Sequence, residues 1–521
     1  MARTPLFSSL RRTLLLALAA QKKGRPAVEH AEIERARFAA SRRTFLERSA
    51  MIAGGALVAG KLPWLSGCDS GGAKKADIAI VGAGMAGLLC AYRLEKANRR
   101  VTVFEAQGRV GGRMWTAPDV MPGGQLVELG GELIDTDHLV MRDLAAGLSI
   151  PLDDFQVIDK DVTKEVFHFG GRLLTEREVL DAWGPVAATM AADVADADND
   201  DIAFANFDGR SIADYLDGLS GLDPALKSLI DIAYTGEYGL EIDQQSAMNL
   251  LWLIGSDTAD TFGIFGTSDE RFHARVGSDA FPRRLASRLQ SPIELDHRLT
   301  AVTTRSDGRY TLTFAVDGGT VESTFDHVVL TLPWTVLRDV AFEPALPAER
   351  AEMISGLGYG TNAKLMLGFG SRPWRTVHGA SGSGFTDNGL QTIWETSRGQ
   401  GGIQGIMTIF TGGTGGVAAG VGTPEERAVA SLPGLEAIFP GTAAAYTAGT
   451  AVRMHWPSFE FARGSYSCFK PGQAAWSELI GARYKNLHFA GEHTSVDFQG
   501  YMEGSAETGL RAADEILADL R

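Results

Sequence analysis

Short apolar runs separated by glycine-rich turns dominate the pattern of hydrophobic and polar residues along this chain. Two such runs, Ile78–Val81 and Val101–Phe104, have the length of short buried strands. Between them, apolar residues that include Cys90 recur with the spacing of a helix face. A strand, a glycine-rich turn, a helix and a second strand together predict a βαβ unit of an α/β fold.

The periodicity changes further along the chain. Residues 146–265 are predicted to be largely helical, because REVLDAWGPVAATMAADVADA has helical apolar spacing. Residues 341–454 combine the strand-like runs AKLMLGF and GIMTIF with glycine-rich loops. Two more short strands are predicted within IELDHRLTAV and DHVVLTLP. The pattern therefore interleaves strand-and-turn segments with a helical segment and a mixed segment.

Size and charge narrow the class of protein. With 521 residues and 45% hydrophobic content, the chain is too long for one small core, so two interleaved domains are expected. The net charge is -15, yet residues 1–68 carry a surplus of 8 positive charges, which leaves -23 on the remainder. Such an acidic body repels nucleic acid and anionic lipid, and it attracts a cationic small molecule.

Cysteine and histidine usage argues against a disulfide framework or a metal site. The three cysteines, Cys68, Cys90 and Cys468, form no CxxC pair. Five histidines occur without the spacing of metal ligands, so no metal is predicted: His273, His297, His455, His488 and His493. The acidic stretch Asp196–Asp201 lacks the glycine and glutamate of a calcium loop and is predicted to be a solvated turn.

The first 68 residues have the layout of an export signal. Arg42 and Arg43 precede a modest apolar run, and Leu-Ser-Gly-Cys ends at Cys68. This resembles a twin-arginine signal followed by a lipoprotein cleavage box, which predicts export to the periplasm or to the outer face of the membrane, with lipid attached at Cys68. The alternative is an uncleaved amphipathic anchor helix, because the apolar run is too short to span a bilayer.

The glycine-rich turn after the first strand is a dinucleotide fingerprint. Gly82 permits the tight turn, Gly84 lets the backbone approach a pyrophosphate, and Gly87 lets the helix close on the sheet. Glu105 ends the second strand, where its carboxylate can accept ribose hydroxyls. Two more glycine-bearing stretches, AQGRVGGRMWT and VELGGELID, follow closely. They indicate a cofactor bound lengthwise, which favours FAD over an exchanging nicotinamide.

Several stretches resemble the flavin-containing amine oxidase family, which includes monoamine, polyamine and L-amino acid oxidases. The resemblance begins at Asp77 and rests on the fingerprint, RVGGRMWT, VELGGELID, HVVLTLPWTVLRDV, GYGTNAKLMLGF, GSYSCFKPG and LHFAGEHTSVDFQGYMEGSAETGLRAADEIL. It implies an FAD site formed by Gly82, Gly84, Gly87, Glu105, Ala106, Arg109, Gly112, Arg113, Gly130, Gly131, Glu132, Val302, Gly491, Glu492, Tyr501 and Met502.

The resemblance also implies the residues that act on the substrate. Tyr466 and Tyr501 match the two aromatic side chains that flank the reacting amine, and Trp456 would line the same region. Lys364 matches a lysine that holds a water against the flavin, and a lysine within an apolar strand needs partners for its ammonium. Met502 would begin the final helix, whose N-terminus would face the flavin.

Two departures from the family pattern refine the expected chemistry. The position of the flavin-attaching cysteine of some monoamine oxidases is Ser465 here, which predicts noncovalent FAD. The stretch ELGGELIDTDH lacks the arginine that many L-amino acid oxidases use to bind the substrate carboxylate. An amine without an α-carboxylate is therefore favoured, although Arg453 or Arg275 could supply that charge.

The expected protein is an amine oxidase that uses O2 and releases hydrogen peroxide. The open alternatives are an L-amino acid oxidase, a flavin dehydrogenase or desaturase of the same fold, and a noncatalytic flavoprotein; a homodimer is also left open. The fold class implied is α/β, with a Rossmann-like FAD-binding domain at 76–145, 266–340 and 455–521. An α+β substrate domain would take 146–265 and 341–454, with the pocket at the junction.

Overall fold

A computed structural model describes residues 76–254 and 263–521. The export signal predicted in residues 1–68 lies outside the described residues. Within the described ranges, no helix has both the length and the apolar character needed to cross a membrane.

The strands are short and distributed over the whole described chain. They are β1 Ile78–Val81, β2 Val101–Phe104, β3 Thr116–Ala117, β4 Val127–Glu128, β5 Leu133–Ile134, β6 Leu152–Asp154, β7 Thr163–Phe169, β8 Arg172–Leu174, β9 Phe272–Ala274, β10 Ile293–Glu294, β11 Arg298–Thr304, β12 Tyr310–Val316, β13 Gly319–Phe325, β14 His327–Leu330, β15 Ala341–Glu343, β16 Gly358–Tyr359, β17 Ala363–Phe369, β18 Ala380–Thr386, β19 Gln391–Glu395, β20 Gly405–Thr411, β21 Val452–His455, β22 Ser467–Cys468 and β23 Leu487–Phe489.

The helices vary more in length. The α-helices are α1 Met85–Lys96, α2 Leu139–Gly147, α3 Phe155–Ile158, α4 Glu176–Asn199, α5 Asp201–Asp208, α6 Ile212–Asp217, α7 Pro224–Tyr238, α8 Ala247–Leu253, α9 Ala280–Arg288, α10 Trp334–Leu337, α11 Ala348–Gly356, α12 Pro373–Thr376, α13 Gly413–Ala418, α14 Pro424–Ile438, α15 Thr442–Ala445 and α16 Met502–Asp519. Short 3-10 helices lie at Pro122–Gly124, Trp456–Ser458, Ala474–Glu478 and Glu492–Thr494.

One of the two largest sheets is parallel and has five strands in the order β10-β2-β1-β14-β23. Every residue of β1 and β14 is buried, because apolar clusters cover both faces of the sheet. On one face Ile78 and Ile80 pack with α1 and α16, and on the other Ala79 and Val81 join a second cluster. The predicted βαβ unit and α/β class are confirmed, with the buried Cys90 in the apolar core.

The other large sheet is mixed and has seven strands in the order β21-β17-β20-β19-β18-β7-β8. Strand β17 is buried along its whole length and pairs antiparallel with β20 and β21. Helix α7 lies against β18, β19 and β20. The strands predicted at AKLMLGF and GIMTIF are confirmed. The other described sheets have the orders β13-β12-β11-β15, β5-β9-β6, β3-β4 and β16-β22.

Residues 146–265 contain α3 to α8, as the helical spacing predicted, but they also supply β6, β7 and β8. The prediction of an acidic turn at Asp196–Asp201 is wrong. Helix α4 continues to Asn199, and Asp200 then caps α5 by accepting a hydrogen bond from the Ile202 amide at 2.8 Å. A single capping carboxylate therefore separates two helices. The predicted domain boundaries stay a prediction.

Candidate active site

The glycine turn between β1 and α1 is shaped for a phosphate. A Cβ atom on Gly82, where φ is 106°, would lie 2.3 Å from Thr331 Oγ1, and one on Gly87 would lie 2.0 Å from Gly82 O. A Cβ atom on Gly84 would meet no atom of the described chain within 4 Å, so this glycine faces open space. Helix α1 begins after Gly84 without a side-chain cap, which leaves its first amides free for an anion.

Glu105 closes the other side of this turn. Its Oε2 accepts a hydrogen bond from the Ala83 amide at 2.8 Å, and its Oε1 accepts one from the Gln107 amide at 2.9 Å. Burial raises the pKa of Glu105, against the opposing effect of these two amides. An open-faced glycine, an uncapped helix start and a buried carboxylate at one turn fit the diphosphate and ribose of a dinucleotide.

Glu492 joins four parts of the chain that lie far apart in sequence. Arg113 Nη1 donates to Glu492 Oε1 at 2.8 Å and also to the Ser465 carbonyl at 2.6 Å. Glu492 Oε2 accepts from Ser467 Oγ at 2.8 Å and from the Gly500 amide at 3.0 Å. Burial alone would raise the pKa of Glu492, but the charges of Arg113 and His493 and the hydrogen bonds from Arg113 and Ser467 together outweigh it, and the pKa is lowered. The carboxylate is therefore ionised and holds these segments in place.

Arg109 is held differently from Arg113. Its Nη2 donates to the Gly112 carbonyl at 2.7 Å, and its guanidinium lies 3.9 Å from the centroid of the Trp115 ring. These contacts fix the RVGGR loop against itself. The predicted phosphate contact of Arg109 stays a prediction. Val302 is buried within β11, where it joins the apolar core, and Ala106 follows Glu105 at the end of β2.

Lys364 lies within β17 and its ammonium is fully partnered. Nζ donates to Glu132 Oε2 at 2.8 Å, to the Gly130 carbonyl at 2.8 Å and to the Glu128 carbonyl at 3.2 Å. Burial would raise the pKa of Glu132, but the charges of Lys364 and His273 and the hydrogen bonds from Lys364 and Trp394 together outweigh it, and the pKa is lowered. The sequence correctly required partners for this lysine, while its predicted water-holding role is untested.

The turn that receives Lys364 is packed tightly. A Cβ atom on Gly130 would lie 1.8 Å from the Arg113 carbonyl oxygen and 3.2 Å from Trp456 Cζ2. A Cβ atom on Gly131 would lie 2.9 Å from Met502 Sδ. Trp456 and the start of α16 therefore meet the same turn at Gly130 and Gly131, while the predicted place of Trp456 in the amine site stays a prediction.

Two tyrosines are fixed to neighbouring residues at the end of α7. Tyr466 donates its hydroxyl to the Gly236 carbonyl at 3.2 Å, and Tyr501 donates to Glu237 Oε1 at 2.9 Å. Burial raises the pKa of both phenols well above its usual value, so both stay neutral. A Cβ atom on Gly500, where φ is 89°, would lie 3.8 Å from Tyr466 Cδ2. The structure thus brings the two predicted tyrosines to one place.

Helix α16 begins at Met502, as predicted, with Tyr501 as its N-cap and no side-chain cap. The neighbouring ring is His138, whose centroid lies 5.2 Å from that of Tyr501 in an edge-on arrangement. His138 Nδ1 accepts a hydrogen bond from the Asp135 amide at 3.0 Å, and burial lowers its pKa to about 4. This imidazole is therefore neutral at physiological pH.

Carboxylates near the tyrosines were missed by the sequence. Glu237 lies in YTGEYG, which matches no motif, and burial raises its pKa. Glu270 is exposed at the surface of the described chain, and desolvation together with Asp135 and Glu237 raises its pKa to about 8. Asp135 already accepts from Ser268 Oγ and from the Glu270 amide. The Glu270 carboxylate, in contrast, has no hydrogen-bond or ion-pair partner in residues 76–254 and 263–521.

The two arginines considered for a substrate carboxylate are engaged elsewhere. Arg275 pairs with Asp153 at 2.7 Å, and its side chain is 62% exposed. Arg453 Nη1 donates to the carbonyls of Ala419 and Gly422, both at 2.9 Å.

Comparison with known proteins agrees with this geometry. Residues 85–517 match the family model of flavin containing amine oxidoreductases. The chain belongs to this family, and it is an oxidoreductase that acts on CH–NH2 groups.

The sequence identity of the chain to individual relatives is about one quarter. The chain is 26% identical to an L-amino-acid oxidase of Siganus canaliculatus, over 84% of this chain and 85% of that protein. It is 25% identical to an L-amino-acid oxidase of Mus musculus, over 85% of this chain and 71% of that protein.

Solved structures share the fold at lower identity. A putrescine oxidase bound to putrescine has a TM-score of 0.72 at 21% identity, with 85% of this chain and 99% of that chain covered. Cyclohexylamine oxidase from Brevibacterium oxydans IH-35A also has a TM-score of 0.72 at 21% identity, over 86% and 100% of the two chains.

Proposed function

We propose that this protein is an FAD-dependent oxidase that converts an amine to an imine and reduces O2 to hydrogen peroxide. The imine then hydrolyses to an aldehyde and either ammonia or a smaller amine. One observation carries the proposal: Tyr466 and Tyr501 are fixed to the adjacent residues Gly236 and Glu237, and the backbone at Gly500 runs along the Tyr466 ring.

FAD, when bound, supplies the acceptor for the two electrons of the substrate C–H bond. The protein's own contribution is to bind and orient the amine. Half-buried aromatic walls limit access of water and lower the pKa of an ammonium group, which favours the neutral amine needed for oxidation. Tyr466 and Tyr501 take this role in the proposal, with Trp456 beside them and Lys364 as the residue that holds a water.

The substrate class follows from the carboxylates. Glu237 is engaged by Tyr501, whereas desolvation and the charges of Asp135 and Glu237 make the ionised form of Glu270 costly, and Glu270 has no partner of its own among the described side chains. A cationic group placed at Glu270 would relieve that cost. We therefore assign the site to an amine with a second ammonium group and without an α-carboxylate.

L-amino acid oxidation is the second candidate, because both relatives named above are L-amino-acid oxidases. It needs a cation for the substrate carboxylate, and neither Arg275 nor Arg453 is free to serve.

The test is O2 consumption and peroxide release by the purified flavoprotein with an aliphatic diamine, the matching monoamine and a set of L-amino acids. We expect the highest kcat/KM with the diamine, and Glu270→Gln should reduce it while leaving the monoamine unchanged. Preference for L-amino acids would favour the second candidate. Turnover only with an artificial electron acceptor would identify a dehydrogenase. No turnover with any substrate would contradict the proposed enzymatic activity.

Noncovalent attachment of FAD is part of the proposal. Ser465 occupies the position where a cysteine would be needed, and its Oγ donates to Asn362 Oδ1 at 2.5 Å. Cys468, two residues beyond Tyr466, is buried and lies 3.5 Å from Asn249 Nδ2. Acid precipitation should release the flavin into the supernatant, and mass spectrometry should identify it as FAD. Flavin that remains in the pellet would contradict noncovalent attachment.

We also propose export by a twin-arginine route with lipid attached at Cys68. Replacing Arg42 and Arg43 by lysine should leave the protein in the cytoplasm, and Cys68→Ser should release it from the membrane fraction without affecting flavin content. Membrane association that persists in Cys68→Ser would instead favour an anchor helix.

A further inference from the structure

Two buried histidines meet on the five-stranded parallel sheet, outside the glycine turn between β1 and α1. His327 begins β14 and His488 lies in the middle of β23, whose register pairs His488 with Val329. His327 is two residues before Val329, so both imidazoles project from the same face of the sheet. Nδ1 of His327 lies 3.4 Å from Nε2 of His488. Residues 161 positions apart in sequence thus form a pair that histidine spacing did not reveal.

Helix α16 adds two carboxylates, one helical turn apart, to this pair. Glu515 Oε2 lies 2.7 Å from His488 Nδ1, which fixes the proton on Nδ1 and leaves a lone pair on Nε2 facing His327. An Asp519 oxygen and one nitrogen of each histidine all lie within 4.8 Å of one another. Carboxylate support of a histidine through its far nitrogen is the usual arrangement around a ligating imidazole.

The distance between the two imidazole nitrogens matches the distance between two nitrogen ligands of a tetrahedral metal ion. Tetrahedral zinc with Zn–N bonds of about 2.0–2.1 Å separates its ligand nitrogens by about 3.4 Å. We propose that His327, His488 and Asp519 bind a divalent transition metal, with zinc as the ion of choice, and that Glu515 positions His488. A cavity of about 680 Å³, lined by His327 and Asp519 among others, gives access and room for a water as the fourth ligand.

Two cationic side chains in the same cavity limit its affinity for a metal ion. Arg483 forms an ion pair with Asp519, and Lys485 lines the cavity wall. The Arg483 side chain is 41% exposed and can turn into solvent when a metal takes Asp519. Without metal, the same geometry is a hydrogen-bond chain in which His327 donates to His488 and His488 donates to Glu515. The experiment must therefore separate a metal site from a chain of hydrogen bonds.

Zinc binding would tie the last turn of α16 to two strands of the sheet. The first turn of the same helix begins at Met502, beside the glycine turn at Gly131. The metal would therefore act on the stability of the helix and not on the chemistry.

The test uses the full-length flavoprotein, purified without a polyhistidine tag and stripped with a chelator. Equilibrium dialysis against Zn2+, followed by metal analysis, should give about one zinc per chain and raise Tm by about 2 °C or more. His327→Gln with His488→Gln should abolish both effects, and the surface variant His378→Gln should retain them. Equal zinc in the double variant and the unchanged protein would overturn the proposal.

Two further variants have opposite expected effects that a structural hydrogen-bond chain would not produce. Glu515→Gln should weaken zinc binding by about 10-fold or more, because the supporting carboxylate is lost. Arg483→Gln should tighten it by about two- to fivefold, because the competing cation on Asp519 is removed. Zinc affinity unchanged in both variants would assign the cluster to hydrogen bonding alone.

Discussion

The ammonium nitrogen of Lys364 lies 2.8 Å from Oε2 of Glu132, and each side chain is less than a tenth exposed. This buried ion pair connects strand β17 of the mixed sheet to the glycine turn that meets Trp456 and Met502. The pair is satisfied further, because Trp394 Nε1 and Thr396 Oγ1 both donate to Glu132 Oε1 at 3.1 Å.

Lys364→Met should destabilise the protein by about 3–5 kcal/mol, since it leaves the Glu132 carboxylate buried without its cation. It should also slow reoxidation of reduced flavin by O2, if the lysine holds a water there. Denaturant unfolding and stopped-flow absorbance measure the two effects separately. The exposed Lys160→Met is the control. A variant carrying Glu132→Gln as well should recover part of the lost stability, and normal reoxidation in Lys364→Met would remove its predicted role.

Tyr501→Phe should retain the cofactor but lower kcat/KM by about tenfold, because Glu237 loses a hydrogen-bond donor worth about 1.5–3 kcal/mol. Tyr501→Ala should have a larger effect on KM or kcat, since one wall of the amine site is removed. Flavin content and steady-state kinetics are the measurements, with Tyr484→Phe as the control. Kinetics of Tyr501→Ala equal to those of the unchanged protein would return this ring to a packing role.

Glu270 should make diamine oxidation depend on pH. Its pKa is raised to about 8, so the carboxylate is formed mainly above that pH, and kcat/KM for a diamine should rise between pH 7 and 9. Glu270→Gln should lack this rise, and a monoamine should show the same profile with either protein. A diamine profile unchanged in Glu270→Gln would place the second ammonium group elsewhere.

Glu503 should make stability depend on pH. Its carboxylate accepts from the amides of Val140 and Met141 at the start of α2, while burial raises its pKa to about 7. A carboxyl whose pKa is higher in the folded state loses stabilising effect as pH rises from about 4.5 to about 7, by up to about 3 kcal/mol. Glu503→Gln, which mimics the protonated carboxyl, should therefore be about as stable as the unchanged protein at pH 5 and the more stable of the two at pH 8 in urea unfolding. A constant difference would contradict the raised pKa.

Local patterns predicted the parts of the fold whose signals are local. The glycine turn, β1, β2, β17 and the start of α16 each depend on residues close in sequence, and the structure agrees with all of them. Partners brought together by the topology gave no such signal. Glu237 meets Tyr501 across 264 positions, and Lys364 meets Glu132 across 232.

The same reasoning explains the error at Asp200 and the omission of Glu270. Both residues are acidic and polar in context, so composition suggested only solvation. Asp200 caps a helix, and Glu270 has the charges of Asp135 and Glu237 nearby. Neither difference can be seen without knowing what packs around the carboxylate.

The contacts that Glu492 makes with Arg113, Ser467 and Gly500 affect the order in which a newly made chain matures. The dinucleotide turn at 82–87 leaves the ribosome early, but Glu492, Tyr501 and α16 are synthesised about four hundred residues later. Until then, one edge of β14 is unpaired and α1 lacks the helix α16 that packs against it. We therefore expect the proposed FAD to bind late, after nearly all of the described chain has been synthesised, so any cellular step that acts on the loaded protein would have to wait until then.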